Sequence, residues 1–143
     1  MIIFVDIGGF FMDLSNINFL AVLAGAAFNM VLGTLWYGPL FGKLWMKLID
    51  KKKEEIESNP LLFIFSFVAA FVAGAVLYLV VVGFTATTFG AGLLAGVVVW
   101  LGFVTTVTLT FSIFEGPKLS VWFLFILYQL VIFAVLGGVF AIW

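Results

Sequence analysis

From Asn18 to Leu40 the chain reads NFLAVLAGAAFNMVLGTLWYGPL, without one charged side chain. A helix needs about 20 apolar residues to cross the hydrocarbon core of a bilayer, and a helix on a water-soluble domain keeps a polar face that this stretch lacks. Three further stretches meet the same condition, at 61–82, 91–114 and 119–143. Composition leaves little room for another solution: 66% of residues are hydrophobic, 9% are charged and the mean hydropathy is +1.36, whereas a soluble domain is about 45–50% apolar and about 25% charged. The sequence therefore predicts an all-α polytopic membrane protein. It forms one transmembrane domain over 1–143, a bundle of four transmembrane helices spanning 18–40, 61–82, 91–114 and 119–143.

Residues 1–17 are apolar but interrupted by Asp6, Asp13 and Gly8-Gly9, too broken to span. No basic run precedes them as in a signal peptide, so they read as an interfacial segment against the bundle. Ser15, Asn16 or Asn18 can cap the first span. Within that span Ala21, Gly25, Asn29 and Gly33 recur every four residues and form one narrow stripe. Small residues so spaced let another backbone approach, and the other spans read as partners of this one. Gly92 and Gly96 form a second small-xxx-small face.

Between 41 and 57 the pattern changes. Phe41, Leu44, Trp45, Leu48, Ile49 and Ile56 fall on one helical face, with Lys43, Lys47, Asp50, Lys51 and Glu54 opposite. This predicts an amphipathic helix in the membrane surface, with Lys43, Trp45, Lys47 and Lys51 at the headgroups and Lys51–Glu55 and Lys53–Glu57 as supporting pairs. Five of the six lysines lie between the first two spans, and Lys118 lies between the last two. With four spans both loops share one face. The positive-inside rule makes that face cytoplasmic, with both termini outside.

Absences constrain the chemistry. The chain has no Cys and no His, and every basic residue is Lys. That removes disulfides, thiolate nucleophiles, imidazole bases, ordinary zinc sites and guanidinium clamps. No enzymatic activity, cofactor, metal site or nucleic-acid partner is expected. The bilayer is the expected partner.

The polar residues inside the spans are the candidates for a role. Asn29 at bilayer depth needs a partner and Gln129 on the fourth span can supply it; the pair reads either as a hydrogen bond that packs helices together or as part of a ligand path. Thr105, Thr108 and Ser112 share a face of the third span that ends at Glu115. Such a face can line a wet crevice, although Thr and Ser in membrane helices also bond back to the carbonyl four residues earlier.

The runs NFLAVLAGAAFNMVLGTLWYGPLFGKLWMK, WLGFVTTVTLTFSIFEGPKLS and YQLVIFAVLGGVFAIW resemble the family known as domain of unknown function 1761. The motif Trp36-Tyr37-Gly38-Pro39, followed by Phe41-Gly42-Lys43 and Trp45-Met46, and the turn Phe114-Glu115-Gly116 carry the resemblance. It implies a small bacterial four-helix protein of the inner membrane with no assigned activity. Residues 1–15 extend beyond the family's usual start, and Gln129 stands where relatives often carry His, so chemistry built on that His is not expected here. Two functions follow as expectations. One is a structural or accessory membrane protein, self-associating into a homo-oligomer through its small-residue faces. The other is a small oligomeric transporter or channel with a polar path near Asn29, Thr108, Gln129 and Glu115.

Overall fold

The computed structural model describes residues 4–7, 10–13, 17–56 and 59–143. Its body is helical, with four helices long and apolar enough to cross a membrane: Phe19–Leu40, Pro60–Gly83, Phe89–Phe114 and Leu119–Ile142. Ahead of them two short strands, β1 (Phe4–Ile7) and β2 (Phe10–Asp13), pair antiparallel. The sequence reading placed an interfacial segment here and did not anticipate a hairpin. Ser15 and Asn16, two of the candidate caps, lie outside the described residues.

Asn18 is the cap that starts α1 (Phe19–Leu35), its Oδ1 accepting from the amides of Leu20 and Ala21 at 3.1 Å each. The span continues through a π-helical turn, Trp36–Leu40, that contains Pro39. Proline has no N–H to donate to the ladder, and the chain resumes with the Phe41 amide bonded at 2.9 Å to the Trp36 carbonyl, five residues back.

A short helix, α2 (Gly42–Ile49), follows and ends at Asp50, which adopts the left-handed conformation at φ 56°. The amphipathic helix expected over 41–57 is thus cut to half that length. Asp tolerates the left-handed region better than most residues, and after Ile49 the next apolar side chain is Ile56, so no apolar face remains to hold another turn on a surface. Lys53–Glu55 is a single 3-10 turn in which Glu55 accepts from the Lys52 amide at 3.2 Å. Lys51 and Glu55 are therefore not on one helical face, and Glu57 lies outside the described residues. Lys43, Lys47 and Lys51 are exposed, and Trp45 is half-buried.

Asn59 caps α3 (Pro60–Gly83) through the Leu61 amide at 3.0 Å, with Pro60 at the first helical position. Thr88 caps α4 (Phe89–Val99). A second π-helical turn, Trp100–Thr105, joins α4 to α5 (Thr106–Phe114), and α6 (Leu119–Ile142) closes the fold.

Packing is uneven. The tightest contact is α4 on α6, where Gly92 and Gly96 sit against the backbone carbonyls of Gly137 and Phe133. On the other side α1 packs on α3, with Val22, wholly buried, above Gly74. The two pairs meet around Ala21, Leu77, Val81, Tyr128, Ile132, Leu136 and Phe140. The most enclosed helix is α6, with Trp122, Leu124, Ile126, Tyr128, Ile132, Leu136 and Phe140 all buried. The sequence reading gave the central place to the first span; the fold gives it to the last. Large apolar side chains cover the outside, Phe65, Phe103 and Phe114 among them at 68%, 72% and 79% exposure, a surface suited to lipid rather than water.

Candidate functional site

The third span hugs α6 as far as Val99 and then, after its π-helical turn, α5 runs with much looser contact. The α1–α3 pair and the α5–α6 pair thus part toward the end that carries the lysines, leaving a cleft of about 1120 Å³. One wall is α3, whose Ser66, Ala69, Ala70, Ala73 and Gly74 present small side chains. The opposite wall is Val104, Thr108, Phe111 and Ser112 of α5 and its preceding turn, with Val121, Trp122, Phe125 and Gln129 of α6. Asn29, Thr34, Tyr37 and Trp45 line the α1–α2 side.

The polar groups divide into those fixed by the protein and those left to the cleft. Tyr128 donates its hydroxyl to Asn29 Oδ1 at 2.5 Å, and the same oxygen lies 3.0 Å from the Asn29 carbonyl. The partner of Asn29 is therefore Tyr128, not Gln129, which lines the same cleft half-buried. Thr108 donates to the Val104 carbonyl at 2.6 Å and accepts from Trp122 Nε1 at 3.0 Å. Ser112, buried, donates to the Pro117 carbonyl at 2.8 Å and so ties the end of α5 to the turn after it. Thr34 donates back to Met30 at 2.9 Å. These hydroxyls have their protons committed to the backbone, as Thr and Ser in apolar helices commonly do.

Of the residues singled out from the sequence, the cleft gathers Asn29, Gly33, Trp45, Thr108, Ser112 and Gln129. Thr105 is outside its lining, its Oγ1 enclosed without a hydrogen-bond partner, as is Trp36 Nε1. Glu115 is exposed at the end of α5, its backbone N–H donating to the Phe111 carbonyl at 2.9 Å, and it is not among the residues lining the cleft. The packing candidates are engaged within the chain. A Cβ on Gly25 would stand 3.0 Å from Phe140, and one on Gly33 3.1 Å from the Tyr128 hydroxyl, while Gly92 and Gly96 meet the α6 backbone and Ala21 is wholly buried. Among the described residues no three His, Cys, Asp or Glu side chains cluster as a metal site would require.

Sequence reasoning passed over Tyr37, Trp122 and Tyr128 as site residues. Tyr37 lies edge-on to both Tyr128 and Trp45, with ring centroids 5.7 Å apart in each pair. This aromatic chain connects mid-helix Asn29 to the surface helix. The signal was there in that Tyr128 interrupts an otherwise apolar run, and a phenol in such a run needs an acceptor. Tyr128→Phe should cost about 1 kcal/mol in equilibrium unfolding from mixed micelles, the usual scale for a hydrogen bond between membrane helices. A cost near zero would mean that the bond to Asn29 contributes nothing net.

Residues 20–141 match the profile of the family described as protein of unknown function DUF1761. No curated protein and no solved structure matches the chain. The matched stretch takes in all four long helices, the cleft they enclose and the α2 segment, and on that basis the chain belongs to the DUF1761 family.

Proposed function

We propose that the chain is a multi-pass protein of the bacterial cytoplasmic membrane whose cleft takes up an amphiphilic small molecule, as the substrate site of a small transporter. The observation that carries this reading is the convergence of Asn29, Thr108 and Gln129 on one open, mostly apolar cleft between helix pairs. Ligand sites are commonly concave and apolar with a few placed polar groups, and between helices of a bundle is one of their usual positions. A carboxylate at the mouth is not part of the site, since Glu115 lies away from it.

The competing reading, a self-associating accessory protein, rested on small-residue faces. Gly25, Gly33, Gly92 and Gly96 already receive side chains or backbone of this same chain. Subunits would have to meet on other surface, the exposed Ser66, Ala69 and Ala73 edge of α3 being the obvious one. That edge also lines the cleft, so a homo-oligomer and an occupied cleft would compete for it. The lysine distribution supports an orientation with the mouth of the cleft toward the cytoplasm.

Proteoliposomes give the test. A panel of fluorescent amphiphiles should cross faster than in empty vesicles, and Asn29→Leu or Gln129→Leu should remove the difference while the helical circular dichroism is kept. Equal rates with and without protein for every probe would count against passage. A dimer or larger in nanodiscs that is lost on Ser66→Leu would favour the accessory reading instead.

A further inference from the structure

We infer that the cleft receives a neutral, carbonyl-bearing lipid of the quinone class, its ring beside the aromatic side chains that line the cleft and its carbonyl oxygen on the amide groups of Asn29 and Gln129. The inference rests on the reading of the cleft as a small-molecule site and names what fills it.

Charge decides the first point. No Lys, Asp or Glu lines the cleft, and an ion brought to that depth would lose its hydration with no counter-charge to replace it. The occupant is neutral. Hydrogen-bond accounting decides the second. Thr108 and Ser112 have given their protons to backbone carbonyls at 2.6 and 2.8 Å and have none for a ligand. Tyr128 occupies Asn29 Oδ1, so the part of Asn29 left over is its NH₂ group, a donor. Gln129 faces the same cleft with no hydrogen-bond partner among the described residues. The free groups at depth are thus the Asn29 NH₂ and both ends of the Gln129 amide, and the two NH₂ donors together are complemented by an acceptor oxygen.

Depth decides the third. Asn29 lies near the middle of the 22-residue span Phe19–Leu40, roughly 15 Å from either end. The ester carbonyls of glycerolipids sit at the membrane interface, next to a headgroup or glycerol that would have to be dragged inward to reach Asn29. A quinone carries its carbonyls on an uncharged ring that enters hydrocarbon freely. Tyr37, Trp45 and Trp122 line the approach from the lysine-bearing end, and aromatic side chains pack favourably on another planar ring. The tail has an exit between α3 and α5, which face each other across the cleft without close packing.

The test is native mass spectrometry on the full chain in nanodiscs of zwitterionic phospholipid, titrated with a short-tailed benzoquinone. One quinone per chain is the expected adduct. Combining Asn29→Leu with Gln129→Leu should raise its Kd about tenfold or more, the loss of two net hydrogen bonds, and Thr110→Val, outside the cleft, should leave it unchanged. Should the double variant not fold, Gln129→Leu alone keeps the Asn29–Tyr128 bond and should still weaken binding by about fivefold. Quinone binding with the same Kd in every variant overturns the proposal, because it would then be partition into the disc. Binding of tetraphenylphosphonium or dioleoylglycerol in place of the quinone overturns the class of ligand and leaves the cleft a small-molecule site. If none of the three binds and none slows maleimide labelling of Ser66→Cys or Ser112→Cys, the small-molecule reading falls with it.

Discussion

Gly96→Ala should open the α4–α6 seam at a cost of about 3 kcal/mol or more in equilibrium unfolding from mixed micelles. An ideal Cβ at residue 96 would overlap the Phe133 carbonyl, and the next atoms it meets are also α6 backbone. A flexible side chain could swing aside, but a helix backbone has to move as a unit. Overpacking of this kind ordinarily costs about 1–3 kcal/mol and more where nothing can give. The same face carries Gly92 against Gly137 and Gly137 against Gly92, so the two helices touch backbone to backbone over more than one turn. Moving them apart would also loosen Trp100, whose Nε1 donates to the Ile126 carbonyl at 2.9 Å. The control lies on the same helix. A Cβ on Gly90 meets nothing within 4 Å, so Gly90→Ala should be neutral or add about 0.5–1 kcal/mol through helix propensity. Equal effects at 90 and 96 would show that the seam does not hold the fold together.

Much of this architecture is legible in the sequence because hydrocarbon imposes a length. The spans expected at 61–82 and 119–143 emerge as Pro60–Gly83 and Leu119–Ile142, since Asn59 and the Gly116-Pro117 turn punctuate them. What a one-dimensional pattern does not contain is the destination of each face. The Ala21, Gly25, Gly33 stripe is readable as a place for close approach, yet only packing says that Phe140, Leu136 and Tyr128 of α6 fill it. In the same way Asn29 plainly needs a partner, and the sequence points to Gln129, the neighbour of the Tyr128 that takes the role. Consecutive helical residues point about 100° apart, so the rotation of α6 alone chooses Tyr128. The surface helix is shorter than expected because Ile56 falls on the same helical face as Ile49 but no apolar residue lies between them, and Asp50 turns the backbone left-handed. The apolar runs around Gly8-Gly9 fit a hairpin pattern as well as a segment at the membrane surface, and hydrophobicity alone does not separate the two. The cleft itself was invisible, because it arises from the divergence of α5 after a π-helical turn that no residue in WLGFVT announces.

Lys52→Cys and Thr87→Cys, introduced singly, should label from opposite sides of the membrane, position 52 from the cytoplasm and position 87 from outside. The background is suited to the measurement, for the chain has no cysteine of its own. Both sites are exposed and lie in connections, residue 52 between α2 and α3 and residue 87 in the turn between Gly83 and Phe89 where Thr85 takes φ 51°. Four helices joined by short connections alternate in direction, so the two sites stand at opposite ends of α3 by construction. Which end faces in is set by charge. The α1–α3 connection carries five lysines and the α5–α6 turn carries Lys118, whereas the turn at residue 87 carries none. Loop lysines held on the cytoplasmic side are the main determinant of orientation for short connections. Lys51, Lys52 and Lys53 lie outside any long helix and are exposed, free to reach anionic headgroups at about 1 kcal/mol each. An impermeant maleimide added to intact cells should therefore modify Thr87→Cys nearly completely and Lys52→Cys hardly at all, with the order reversed in inside-out vesicles. Labelling of both from one side would remove the four-span arrangement. Labelling in the reverse order would keep the fold, turn the mouth of the cleft outward, and make any substrate one that enters from outside the cell.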